Sequence, residues 1–174
     1  IIPEIPEEFL PTTSLFEEFL LTLSFKNCKV SYAESGKTFD LGNGISIEIL
    51  GPAGYSGDNL NNYSVISKLT FGETSFLFTG DAEEEAELLL IDSGADISCT
   101  VLHGSSTSNC ELFLKAASPE YAAISCGYNN DYGHPHKEVL SAFKDFGIDY
   151  YRTDFDGSIV FYSDGKNIKV SAKK

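Results

Sequence analysis

The chain has 174 residues, 42% of them hydrophobic and 22% charged, which suits one globular domain with a real core. Twelve Lys and Arg against 26 Asp and Glu give a formal charge of −14, which repels phosphate backbones and excludes nonspecific coating of nucleic acid. Bound divalent metal would reverse that field locally, so a nucleic-acid substrate stays open.

The longest apolar runs, such as Leu88-Leu89-Leu90-Ile91, fall far short of the roughly 20 residues that cross a bilayer. The start, Ile1-Ile2-Pro3-Glu4, has neither the basic nor the apolar region of a secretory signal. It also lacks an initiator Met, so the native chain is expected to begin earlier. Cellular location stays open.

The first predicted helix opens at Ser14 and Glu17, an S-x-x-E capping box, and carries Leu15, Phe16, Phe19, Leu20 and Leu23 at helical spacing. Short strands are expected at 28–33, 38–41 and 45–50. In the last of these Ile45, Ile47 and Ile49 alternate with polar residues. A loop rich in Gly, Asn, Pro and Asp spans 51–62, and strands at 64–71 and 74–79 meet at Gly72-Glu73 like a hairpin.

Residues 82–93 read as a helix ending at Gly94. Its acidic start, Glu83-Glu84-Glu85 and Glu87, suits the positive end of the helix dipole, with metal binding the less favoured alternative. The order then becomes strand 98–102, helix 110–116, strand 121–125, helix 136–146, strand 149–152 and a closing hairpin, 159–162 with 167–170. Ser108 and Glu111 are expected to cap the helix at 110–116, and Pro135 sits where a helix accepts proline. Paired strands followed by alternating strands and helices predict an α/β (α+β) fold, sheets covered by helices. Cys28, Cys99, Cys110 and Cys126 show no C-x-x-C spacing and read as buried thiols, with a disulfide pair the alternative.

Three positions carry candidate chemistry. Asp81, His103 and the cluster Gly133-His134-Pro135-His136 each follow a predicted strand, where α/β proteins commonly place sites. One carboxylate and two imidazoles there suit zinc, manganese or iron. The plainer alternative makes Asp81 a helix N-cap and the histidines loop residues.

Wording and order narrow the choice. Asn61-Asn62-Tyr63-Ser64-Val65, Phe76-Leu77-Phe78-Thr79-Gly80-Asp81-Ala82, His103-Gly104-Ser105, Ala123-Ile124-Ser125-Cys126-Gly127 and Asn130-Asp131-Tyr132-Gly133-His134-Pro135 follow one another. So does Tyr151-Arg152-Thr153-Asp154 near the end. Together they resemble the metallo-β-lactamase-like hydrolase domain of ComEC-type competence proteins, from about residue 34 onward. That resemblance implies the C-terminal portion of an αββα sandwich, with 1–174 as a single incomplete domain. It implies hydrolysis of a phosphodiester by metal-activated water, with DNA or a related ester as substrate and zinc or manganese as the metal.

By the same resemblance Asp81 falls at the metal-bridging aspartate, His134 at the late histidine ligand and His103 at the second histidine of an H-H-G-S motif. Leu102 stands where that motif's first, ligating histidine belongs. Asn62 and Ser105 fall at substrate-binding positions, while His136 is expected to be surface-exposed. The family's H-x-H-x-D-H signature occurs nowhere among the 174 residues, so the chain alone is not expected to hydrolyse. It reads as a fragment of a larger hydrolase, as a natural non-catalytic binding or scaffolding module, as a chain of unrelated activity, or as a site completed by another subunit. An incomplete sandwich would expose sheet edges and apolar surface, so a partner or a homodimer is expected.

Overall fold

Tight turns set the first half of the fold. Asn43 (φ 52°) and its flanking glycines reverse the chain between β1 (Thr38–Gly42) and β2 (Ile45–Ile49). Gly72 (φ 58°) does so between β3 (Ser67–Phe71) and β4 (Thr74–Phe78), packed so closely on the carbonyl of Gly165 that no Cβ fits. The four strands pair antiparallel in chain order. The computed structural model describes residues 1–173 and places helix α1 (Ser14–Phe25) ahead of these strands.

From β4 onward the chain changes habit. Helices α2 (Glu84–Asp92), α3 (Glu111–Ala117) and α4 (Lys137–Asp145) connect β4 to β5 (Val101–His103), β6 (Tyr121–Ile124) and β7 (Asp149–Arg152). Each connection returns the chain to the same end, so β4 to β7 pair parallel and complete a seven-stranded sheet in the order β1 to β7. A short helix α5 (Thr153–Asp156) leads into a separate hairpin, β8 (Ser158–Ser163) with β9 (Ile168–Lys173).

One face of the sheet is the core. Leu77, Leu102 and Ala122 stand side by side across β4, β5 and β6, fully buried with Leu90, Phe113 and Phe143 from the covering helices. The opposite face carries Phe76, Val101 and Tyr121 and is met by the hairpin, whose Phe161 ring lies 5.8 Å from that of Tyr151 and 6.3 Å from that of Tyr121. The molecule is therefore the expected mixed α+β sandwich, helices on one face of the large sheet and a two-stranded ribbon on the other.

Several expectations need correction. Residues 28–33 form no strand; the region makes a single bridge, Ile2 with Tyr32. Helix α1 is capped by Thr13, whose Oγ1 accepts from Phe16 N at 3.3 Å, rather than by Ser14 and Glu17. None of its residues is buried, and Leu15, Leu21 and Phe25 are 75%, 70% and 81% exposed. The N-cap of α3 is Cys110, without a side-chain bond, because the Ser108 hydroxyl is used elsewhere. All four cysteines are free; Cys28 is exposed, whereas burial pushes the Cys99 and Cys110 thiols up to about 12 and about 11.

Position 102 is a core position. Replacing Leu102 by His, the residue that the resembled motif carries, removes apolar packing and buries an imidazole among aliphatic side chains. Leu102→His is expected to lower the unfolding free energy by at least about 2 kcal/mol in urea denaturation. Unchanged stability would place the side chain outside the core.

Candidate functional site

Parallel pairing brings the carboxyl ends of β4, β5, β6 and β7 to one edge of the sheet, the edge where open α/β sheets bind ligands. The loops after β4, β5 and β6 line a cavity of about 840 Å³. Its wall includes Asp81 after β4, Ser106 and Thr107 after β5, and Ser125, Cys126, Gly127, Asn130, Tyr132 and His134 after β6, with Asn61 at one side.

Asp81 is exposed in this cavity. Its backbone N–H donates to Ser64 Oγ at 3.1 Å, and its carboxylate has no partner among the described residues. It is not the N-cap of α2, a position held by Glu83. His134 is held on both sides: its N–H donates to Asn130 Oδ1 at 2.9 Å, and its carbonyl accepts from Asn130 Nδ2 at 2.7 Å. Ser106 Oγ lies 3.2 Å from His134 Nδ1, so the ring is oriented through one nitrogen while Nε2 carries no bond among the described residues. His136, half-buried rather than exposed, is the N-cap of α4 and donates its N–H to Ser106 O at 3.0 Å.

His103 belongs to a different space. As the last residue of β5 it alternates with Leu102 and so points to the hairpin face, into a cavity of about 160 Å³ with Phe76, Phe78, Val101 and Phe161. Its Nε2 lies 2.9 Å from Ser125 Oγ, and Ser125 lines both cavities. Asp81 and His134 thus share one cavity and His103 occupies its neighbour. Among the described residues no group of three or more His, Cys, Asp and Glu side chains is placed to hold a metal ion.

Asn62 and Ser105 are both 2% exposed and bonded within the protein. Asn62 Oδ1 accepts from Glu83 N at 2.9 Å, capping α2 from a distance, and Ser105 Oγ lies 2.8 Å from Thr107 Oγ1. Their neighbours Asn61, Ser106 and Thr107 are the ones that reach the cavity.

No family model matches the chain. Over 123 residues it is 36% identical to Competence protein ComA of Neisseria gonorrhoeae, covering 68% of this chain and 18% of that protein. It is 34% identical over 121 residues to ComE operon protein 3 of Bacillus subtilis, covering 67% of this chain and 16% of that protein. Recombination protein 2 of Haemophilus influenzae is 28% identical over 165 residues, 89% of this chain and 20% of that protein. The chain is homologous to a segment of bacterial competence proteins. It spans a fifth or less of the length of the curated relatives it matches.

In this competence-protein segment the cavity loops are tied from behind. Arg152 at the end of β7 forms a two-pronged pair with Asp154, at 3.0 and 2.6 Å, and the guanidinium holds that carboxyl below its ordinary range. Cys126, in the cavity wall, donates its thiol to Asp154 Oδ1 at 3.2 Å, and its backbone exchanges bonds with Thr153 Oγ1 at 2.9 and 2.8 Å. Burial raises the Cys126 thiol above its ordinary pKa.

Glu87 lies in the first turn of α2 as expected, but its main partners were not foreseen. It is 0% exposed, and its Oε2 accepts from Cys110 N at 2.7 Å and from the Ser108 hydroxyl at 3.2 Å. Beyond its place in the first turn of its own helix, it anchors the loop that carries Ser106 and Thr107. The signal was present: Glu87 stands three and four residues before Leu90 and Ile91, on the buried stripe of α2. Its Oε1 is buried without a partner among the described residues, as is Oδ1 of Asn109.

Burial raises the Glu87 pKa above its ordinary 4.5; the Cys110 and Ser108 bonds oppose that, and the charge of Glu84 adds to it. A raised folded-state pKa means that Glu87 supports folding below pH 4.5 and that this support is lost as pH rises through the folded value. Gln cannot ionise and keeps a carbonyl oxygen for Cys110 N. The stability of Glu87→Gln relative to wild type is therefore expected to grow as pH rises from acid to above neutral. Urea midpoints of both proteins across that range check it; a constant difference would mean that Glu87 titrates normally.

Proposed function

We propose that this chain is the carboxyl-terminal part of a metal-dependent hydrolase domain of the metallo-β-lactamase type, serving DNA uptake and acting on a phosphodiester. The observation that carries this reading is the convergence of Asp81 and His134 on one cavity at the carboxyl edge of the parallel strands. Homology to competence proteins supplies the DNA-uptake context. Asp81 offers a carboxylate with no partner among the described residues, and His134 offers Nε2 while Ser106 engages Nδ1.

Two donors fall short of the three or four of zinc sites. The described residues therefore do not complete a metal centre, and no hydrolytic step is assigned to them. On this reading the chain by itself is not a competent hydrolase, and further donors come from outside it. A second reading, a non-catalytic binding module that pairs with a copy of itself, is favoured by the exposed Leu15, Leu21 and Phe25 of α1.

Titration of the chain with zinc and with manganese tests the first reading. Uptake is expected to be weak, and Asp81→Ala and His134→Ala are each expected to weaken it by at least about tenfold, a loss that even outer-shell partners produce. His103→Ala should leave it unchanged, since that imidazole faces the other cavity. Uptake indifferent to both Asp81 and His134 would overturn the reading.

A further inference from the structure

We infer that Tyr132 is a stacking platform for an unpaired nucleobase, so that the cavity takes single-stranded nucleic acid by its bases rather than by its phosphates. This rests on reading the cavity as the substrate site of a DNA-handling domain. The ring of Tyr132 is 80% exposed although it lines the cavity. It lies near-parallel to the His134 imidazole, with centroids 5.6 Å apart and planes 27° apart. His134 in turn meets His136 edge-on at 5.0 Å. Asn130 pins the loop, donating to Gly127 O at 2.9 Å and to His134 O at 2.7 Å. One ring face is thus backed by an imidazole on a fixed loop, while the ring as a whole stays open to solvent. A planar ligand can extend the stack without reorganising the protein.

Electrostatics points to the base and away from the phosphate. Among the described residues the cavity wall holds no Lys or Arg; its charged residue is Asp81, and the rest is amide, hydroxyl, thiol and ring. With a formal charge of −14 the chain repels a polyanion. Base–aromatic stacking does not depend on that charge and changes affinity by about 5- to 150-fold per base. Salt should therefore act in the unusual direction. Binding led by phosphate contacts weakens steeply as salt rises, whereas here salt screens repulsion and affinity should hold or increase.

The test is titration of the full chain, free of added metal, with a short oligothymidylate and with an abasic strand of equal length. The chain has no Trp, so tyrosine emission reports directly. Oligothymidylate is expected to bind wild type and Tyr132→Phe alike. Tyr132→Ala should lose about 5- to 150-fold, and the abasic strand should bind no better than that variant does to the oligomer. Tyr128→Ala is the control, since Tyr128 is 86% exposed but outside the cavity wall. Equal binding of the abasic strand, a steep loss with salt, indifference to Tyr132→Ala, or no binding by wild type would each overturn the inference. Zinc uptake by Tyr132→Ala separates the two proposals. If uptake still depends on Asp81 and His134 while the strand ignores Tyr132, stacking alone has failed.

Discussion

Parallel pairing of β4, β5, β6 and β7 is the constraint on which the rest of the structure depends. A parallel strand cannot be reached by a tight turn, so each return needs a crossover, and α2, α3 and α4 provide them. Those helices must bury an apolar stripe, and Leu77, Leu102 and Ala122 form the surface that receives it. The same constraint puts every strand-to-helix loop at one edge. Asp81 and His134 lie 53 residues apart in the numbering and share a cavity for that reason alone.

A cavity made of loops needs those loops held, and here different chemistry holds each one. Glu87 is spent as a buried acceptor under the loop after β5, Asn130 closes the loop after β6 on itself, and the Arg152–Asp154 pair anchors Cys126 from β7. Glu87 is the expensive member of the set, because a buried carboxylate with one unpartnered oxygen is disfavoured as an ion. The acidic composition, and a cavity wall without Lys or Arg among the described residues, then limit what anion the cavity can attract at long range. What the wall presents at short range is ring faces, amides and hydroxyls.

Strand and helix order was legible because local patterns carry it. Asp149–Arg152 was read to the residue, and the hairpins around Gly42-Asn43-Gly44 and Gly72-Glu73 follow from turn chemistry. Residues 28–33 misled because β-prone residues form a strand only beside a partner edge, and Ile2 offers one bridge. Helix caps were off by one at α1, since Thr13 and Ser14 are both capping residues and backbone geometry chose Thr13 over the intrinsically better Ser14. The motifs named Asp81 and His134, and the structure lines one cavity with both. Asn130 and Tyr132 stood in a motif without a role and Ser106 in none, because what they touch lies across the loops.

By itself the sequence determined the α+β class, the succession of elements, the acidic charge and the lack of an H-x-H-x-D-H string, all properties of composition and short spacing. Only the tertiary structure decided that Asp81 and His134 line one cavity while His103 faces another, since that depends on strand alternation and sheet order. It also decided that Glu87 is a buried anchor and Leu102 a core residue. Burial depends on the whole assembly: the same glutamate on the same helix would lie in water if α3 did not cover it.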